Sequence, residues 1–329
     1  MKGMRRLEAP AATSLFQRIQ RSPLRNLDAR FTPEADVTRL ERERPELVAV
    51  EEKGVILLKP WGDWLWLVYG FADRDALRQR FQPLLEGLVK GLDAARLPGP
   101  PVRQAGGQAR WPDGIRIRFT DHPNRPFIEP VLVGCAFVIE HEWMEMDLLE
   151  LPEADARRAG PPSPQVAQGY FLRPATESDL PEYVELDRQA FGAPRPISLR
   201  AARERLATWA LFQVLVSEAD GRLAGFLSLL RWPQATGAVD DIAVRPDLQG
   251  RGLGEAMMRW ALAWFRQEGM RRAWLDVLLG NAPALSLYRK LGFTPGAAGL
   301  TYRRPLDKKE VRRIRESRRG TYIKFGGWR

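Results

Sequence analysis

Residues 239–256 read VDDIAVRPDLQGRGLGEA, and they limit the fold more tightly than any other stretch of the chain. Val239 to Val244 reads as a strand. It breaks at Arg245-Pro246, and Gln249-Gly250-Arg251-Gly252-Leu253-Gly254 follows. Leu253, Met257, Trp260, Ala261 and Trp264 then recur at helical spacing, which predicts a helix from about Gly252 to Glu268 with Gly269 as its stop. A strand that leaves through glycines into a helix places a helix N-terminus at the strand's end. The first N–H groups of that helix lack partners, and with the helix dipole and Arg251 they suit phosphate oxygens. Gly250, Gly252 and Gly254 let the backbone turn and approach a ligand closely. The spacing is not that of the dinucleotide fingerprint, and no Gly-Lys-Ser/Thr follows to make a P-loop.

The surrounding chain alternates in a mixed order. A strand is expected at Tyr170–Arg173, then a helix capped by Asp179 with Leu180, Tyr183, Leu186 and Phe191 along it. A second helix is expected over 198–209. Phe212–Ser217 and Leu223–Leu230 form a hairpin about Ala219-Asp220-Gly221-Arg222. Strand 272–277 and helix 282–291, stopped by Gly292, complete the set. Hairpins before the glycine loop exclude a simple alternating βα fold, so the class is mixed α/β (α+β), a central mixed sheet flanked by helices.

Residues 150–168, ELPEADARRAGPPSPQVAQ, are rich in proline and glycine and read as a linker. The expected organisation is a basic segment at 1–30, one domain at 31–150, a linker at 151–168, a second domain at 169–306 and a basic tail at 307–329. The chain has 329 residues, which accommodates two domains. No run is apolar for the length of a membrane span, and the N-terminus has no apolar signal core. A single cysteine, Cys135, excludes an intrachain disulfide and fits a reducing cytoplasm. His122 and His141 stand far apart with no cysteine cluster, so no metal site is expected. The net charge of +10 favours anionic partners. Part of it lies in Lys308-Lys309, Arg312-Arg313, Arg315, Arg318-Arg319, Lys324 and Arg329. That tail reads as a solvated basic helix, with nucleic-acid binding as the sharper alternative.

Asn281-Ala282-Pro283-Ala284-Leu285-Ser286-Leu287-Tyr288-Arg289-Lys290-Leu291-Gly292-Phe293 follows the next strand. Together with Val244-Arg245-Pro246 and Gln249 to Gly254, it makes residues 169–306 resemble the GCN5-related N-acetyltransferase (GNAT) superfamily, whose loop is Q/R-x-x-G-x-G/A. The resemblance implies acetyl-CoA, or another acyl-CoA, as donor, with CoA as product. It places the pantetheine arm along Ile242, Ala243 and Val244, and the pyrophosphate on Gln249, Gly250, Arg251, Gly252, Leu253, Gly254 and Glu255. Asn281 matches a contact to the cofactor arm, and Tyr288 matches the tyrosine that protonates the departing thiolate. The attacking amine must be neutral, so a carboxylate or water chain takes its proton. Asp240 or Asp241, at the start of that strand, stands where the family often has such a carboxylate, and alternation puts the two on opposite faces.

Residues 114–137, GIRIRFTDHPNRPFIEPVLVGCAF, repeat the pattern of strand, loop, apolar helix and closing aromatic. Val48–Leu58 resembles the hairpin at 214–229, Trp64–Tyr69 stands for the fourth strand, and Asp73 caps a helix to about Leu92. The first half thus reads as a second, degenerate GNAT-like domain. It has Gly70-Phe71-Ala72-Asp73-Arg74-Asp75 in place of the glycine loop, Val131 or Leu132 in place of the tyrosine, and an insertion from Pro98 to Gly114. It is not expected to bind acyl-CoA.

The expected function is N-acetyl transfer to a small-molecule amine or to a protein or peptide amine, by a monomer or homodimer. The alternative is a non-catalytic acyl-CoA-binding or nucleic-acid-associated module using the basic tail. Residues 187–205 correspond to the family's acceptor-lining region. Their arginines, Arg188, Arg195, Arg200, Arg203 and Arg205, fit either an acidic acceptor or an exposed basic helix. His122 is a further acceptor-contact candidate.

Overall fold

Val55 and Leu57 point into one apolar cluster and Ile56 and Leu58 into another, so their strand is buried on both faces. This explains a run with no polar alternation. The computed structural model describes residues 15, 17, 25–26, 37, 39–40, 42–61, 64–94, 114–120, 125–151, 162–191 and 197–317. It divides into two units, Met1–His141 with Gly299–Arg329, and Glu142–Ala298.

The first unit contains β1 (Val48–Glu51), β2 (Gly54–Trp61), β3 (Trp64–Phe71), α1 (Arg74–Ala94), β4 (Gly114–Thr120), α2 (Arg125–Gly134) and the start of β5 (Val138–Leu148). β1, β2 and β3 form an antiparallel meander. β3 pairs parallel with β4 from Trp64↔Gly114 to Trp66↔Arg116, and residues 299–305 pair antiparallel on the other side of β4. Leu77, Phe81, Leu84, Leu85 and Leu88 of α1 share one core with Ile56, Leu58, Leu65, Ile115 and Ile117.

The second unit contains β6 (Gln165–Ala167), β7 (Tyr170–Pro174), α3 (Leu180–Phe191), α4 (Leu199–Thr208), β8 (Leu211–Ser217), β9 (Leu223–Trp232), β10 (Thr236–Val244), α5 (Leu253–Gln267), β11 (Arg272–Leu278), α6 (Ala282–Lys290) and the start of β12 (Thr294–Pro305). β6 to β10 pair antiparallel in sequence order. β10 then pairs parallel with β11 from Thr236↔Arg272 to Val239↔Leu275. Trp143–Leu148 pairs antiparallel with β11. On one face α5 packs Leu253, Met257, Met258, Ala261 and Phe265 against Leu215, Leu227, Leu229 and Val239. On the other, Leu180, Tyr183 and Leu186 of α3 and Ala202 of α4 meet Val214, Val216, Phe226 and Ala243. α7 (Lys308–Ser317) lies in the first unit and carries no buried residue.

The division differs from the expected boundary at 151–168. It falls inside β5 and inside β12, because residues 143–148 pair with β11 and residues 299–305 with β4. Each unit therefore completes its sheet with a segment from the other half of the chain. Of the expected linker, residues 152–161 lie outside the described residues, and Gln165–Ala167 is a strand.

Both units end their second parallel strand's helix in the same way. Phe293 N–H donates to Tyr288 O (3.0 Å) and Gly292 N–H to Arg289 O (3.0 Å), with Gly292 at φ 91°. Phe137 N–H donates to Leu132 O (3.0 Å) and Ala136 N–H to Val133 O (3.0 Å), with Ala136 at φ 65°. These are the paired bonds of a Schellman stop. Leu132, not Val131, therefore holds the position of Tyr288. His122, Asn124 and most of the Pro98–Gly114 insertion lie outside the described residues.

Asp179 does not cap its helix as expected. Its carboxylate accepts the Thr176 backbone N–H (2.8 Å) and hydroxyl (2.7 Å) and both terminal nitrogens of Arg173 (2.7 Å each), one turn before α3. Arg173 above all, with Thr176, holds the Asp179 carboxyl down to about 2. A lowered carboxyl contributes stability above its unfolded value and loses it as the pH falls through the folded one. Asp179→Asn is therefore expected to cost about 2 kcal/mol at pH 7. Urea melts should show the difference from wild type closing as the pH falls from about 4 toward 2.

Candidate functional site

The site begins where β10 leaves β11. Their pairing ends at Val239↔Leu275, while β10 continues to Val244. On its other side β10 stays paired with β9, as Ile242↔Leu227, Ala243↔Phe226 and Val244↔Gly225. Arg245 N–H bonds Ala224 O (2.8 Å), so alternation turns the backbone groups of Ile242 and Val244 toward the side that β11 has left. The resulting edge is open in the middle of a sheet. Val244 O accepts from the Gln249 side chain (3.1 Å).

The chain then makes a 3₁₀ turn over Pro246–Leu248, with Leu248 buried in the α5 core. Arg245 grips Asp247 (2.8 Å) and holds that carboxyl below its usual range. Gly250 and Gly252 have φ of 75° and 79°, and no atom lies within 4 Å of where a Cβ would stand at either. Backbone conformation therefore calls for glycine at both, and the space beside them is open. Gly254 differs from expectation: it is helical, and a Cβ there would make ordinary contact with Leu287 (3.7 Å) and Val244 (3.9 Å). Leu253 is buried and anchors the first turn of α5. The first intrahelical bond is Ala256 N–H to Gly252 O (3.0 Å), so the N–H groups of Leu253, Gly254 and Glu255 precede it. Arg251 is exposed and donates weakly to Asp247 O (3.5 Å). Glu255 is engaged by Lys290 and Arg259, which hold its carboxyl low.

Asn281 is the N-cap of α6, its side chain accepting from Ala284 N–H (3.2 Å). Its amide nitrogen remains a donor. Tyr288, seven residues on, is buried against Phe293, ring centroids 6.0 Å apart. Burial first, then the negative field of Asp241, pushes its phenol up to about 12.

Asp240 and Asp241 are not on simple alternate faces. The β9–β10 register slips between Ser228↔Asp241 and Leu229↔Val239, leaving Asp240 as the extra residue of a β-bulge. Buried Ser228 bridges the bulge: its hydroxyl accepts Asp241 N–H (3.0 Å) and donates to Asp241 O (3.3 Å). The carboxylates of both aspartates act on Arg205. Arg205 Nη1 donates to the Asp241 carboxylate and to Tyr183 OH (2.8 Å), and its guanidinium lies 4.7 Å from the Trp209 ring. Asp240 is exposed.

One group in this cluster escaped the sequence reading. Asp187, on α3, is 8% exposed, and its described hydrogen bond is a long one from Ile197 N–H (3.4 Å). Desolvation, then repulsion from Asp241, pushes its carboxyl up to about 6. In the sequence, only the arginines of 187–205 stood out. The structure pairs the described ones: Arg188 with Glu185, Arg200 with Glu204, Arg203 with Glu177 and Arg205 with Asp241. They present no unmatched cationic face to an acidic acceptor, and Arg195 lies outside the described residues. Among the described residues, no group of His, Cys, Asp and Glu is placed to hold a metal, and no helix is long and apolar enough to cross a membrane.

A family model described as "Acetyltransferase (GNAT) family" matches residues 180–293. A mycothiol acetyltransferase of Clavibacter sepedonicus is 34% identical over 170 residues, 48% of this chain and 54% of that protein. The chain spans about half the length of the curated relatives it matches. A GCN5-related N-acetyltransferase from Sphaerobacter thermophilus superposes with a TM-score of 0.54 at 16% identity, covering 90% of this chain and 92% of that one. A tandem GNAT protein from the clavulanic acid biosynthesis pathway gives 0.53 at 14% identity, covering 91% and 96%. At those identities the likeness is one of fold.

A raised carboxyl at Asp187 has a cost. Below about pH 4 it is protonated folded or unfolded and the raised value costs nothing; the cost accrues between about pH 4 and 6 and is complete above that. Asp187→Asn is expected to melt higher than wild type at pH 8, by roughly 2 kcal/mol, with the advantage fading toward pH 4. Thermal unfolding followed by circular dichroism at the two pH values checks this.

Proposed function

Because the chain belongs to the GCN5-related N-acetyltransferase superfamily, we propose that its second unit transfers an acetyl group from acetyl-CoA to a primary amine. One observation carries the reading: the open backbone edge at Ile242 and Val244 leads directly into the clear space over Gly250 and Gly252. An acyl-CoA would lie along that edge and loop. The backbone of Ile242, Ala243 and Val244 would pair with an amide-bearing arm in the manner of an added strand. The N–H groups from Gln249 to Glu255, with Arg251, would take the pyrophosphate at the head of α5. Lys290 and Arg259 offset the charge of Glu255, which would otherwise oppose a phosphate there. Asn281 would donate to the arm.

Bound acetyl-CoA supplies the thioester as acyl donor. Tyr288 keeps its proton through neutral pH because burial disfavours the phenolate, so it is a hydrogen-bond donor to the sulfur as that atom gains charge. Asp241 holds Arg205, and the pair orders the acceptor side. The name of the mycothiol acetyltransferase supports acetyl transfer as the reaction; for this chain the acceptor is taken to be a primary amine on a small molecule or a peptide.

The first unit we read as a copy that has lost the donor site. Only Ala72 and Asp73 connect β3 to α1, and the Asp73 carboxylate itself takes the Ala76 N–H (2.7 Å) at the helix head. Negative charge already occupies the place a pyrophosphate would need. Leu132 has no proton to give.

Thiol release from acetyl-CoA, followed with an amine acceptor, tests the reading. Tyr288→Phe is expected to lower kcat about 100-fold with an unchanged Kd for acetyl-CoA. Gly252→Trp is expected to abolish binding of acetyl-CoA by filling the clear space. Full binding by the Gly252→Trp chain would contradict the placement of the donor.

A further inference from the structure

Among the described residues the cluster around Arg205 holds an unbalanced charge. Asp187 and Asp241 are two carboxylates against one guanidinium. Arg205 is committed: Nη1 serves Asp241 and Tyr183, and the guanidinium lies by Trp209. Asp241 is thereby matched. Among the described residues Asp187 has one long backbone contact, although it is the more deeply buried of the two. A second polar group there is also unfilled: the indole N–H of Trp209 is buried with no acceptor among the described residues. The field of Asp241 reaches both Asp187 and Tyr288, and Asp241 directly precedes the open edge at Ile242.

We propose that Asp187, Asp241 and Arg205 form a subsite for the ammonium group of a cationic primary amine, and that Asp187 accepts its proton. This rests on the acetyl-transfer reading above. An entering ammonium brings the charge of Asp187, Asp241 and Arg205 to zero, which an acidic or neutral acceptor does not. Asp241, held by Arg205, is a positioning residue: its negative charge raises the basicity of Asp187. The groups that act on Asp187 are Asp241 from β10, Arg205 from α4, Tyr183 from its own helix and the N–H of Ile197. A carboxyl near 6 is ionised at pH 7 and is a stronger base than an ordinary aspartate.

The step balances. The ammonium gives one proton to Asp187, and the freed nitrogen lone pair forms the C–N bond to the acyl carbon. The C–S bond breaks, and its electron pair stays on sulfur. The sulfur takes a proton through Tyr288, which is restored by the second proton lost from the nitrogen. The proton on Asp187 passes to water, so the products are amide, thiol and one released proton.

The test uses the full chain, acetyl-CoA and a panel of cationic primary amines: a monoalkylamine, a diamine, spermine, a dipeptide with a free α-amine and a lysine peptide. Calorimetry with acetyl-CoA comes first; its failure would remove the acetyl-transfer reading itself. If acetyl-CoA binds and no member of the panel is acetylated, the ammonium subsite is overturned while the donor site stands. With an accepted amine, wild type should show kcat/KM for the amine falling below pH 6. Asp187→Asn should lower kcat about 100-fold near pH 7, abolish that limb, regain rate as rising pH frees the amine, and keep the wild-type Kd for acetyl-CoA. Asp187→Glu should restore part of the rate. An Asp187→Asn chain that melts no lower than wild type and keeps both the limb and the rate would assign the proton to another group.

Discussion

Everything at this site depends on two parallel strands that pair for four residues and then part. β10 stays bonded to β9 on one side while β11 turns away after Leu275. A backbone edge in the middle of a sheet is normally closed; here it is held open by the neighbours. The glycine loop continues from that edge, and its two left-handed residues set the head of α5 at the strand's end. Much of the shape there comes from the backbone. Farther back along β10, the bulge at Asp240 brings two carboxylates onto one arginine.

The first unit repeats the parting. β3 and β4 pair from Trp64 to Trp66, and β3 continues to Phe71. It repeats the Schellman stop as well, with Ala136 accepting a left-handed conformation that favours glycine. What it does not repeat is the loop. A short connection capped by Asp73 stands where the second unit has a turn, two open glycines and free N–H groups. The two units thus share an architecture and differ at the atoms that would meet a phosphate.

The elements of the second unit were legible because their signals are local. Gly250 and Gly252 answer to backbone angles, the stripe from Leu253 to Trp264 answers to helical period, and Gly269 and Gly292 stop their helices as their positions imply. The unit boundary was not legible, because proline-rich composition marks a connection but does not say which sheet a strand completes. Residues 143–148 cross into the second unit by hydrogen bonding alone. The alternation argument for Asp240 and Asp241 failed on a bulge, a one-residue register slip that leaves no mark in composition. Asp187 was invisible for a similar reason: its environment is made by Arg205 and Asp241, which lie 18 and 54 residues away in sequence. The nearby arginines drew attention to positive charge, and their carboxylate partners cancel it.

The central claim is that one unit of two holds the donor. Calorimetric titration of acetyl-CoA into the full chain measures it directly. The account predicts a stoichiometry of one per chain. Two sites per chain would mean that the head of α1 accepts a pyrophosphate despite Asp73, and would contradict the division of labour drawn here.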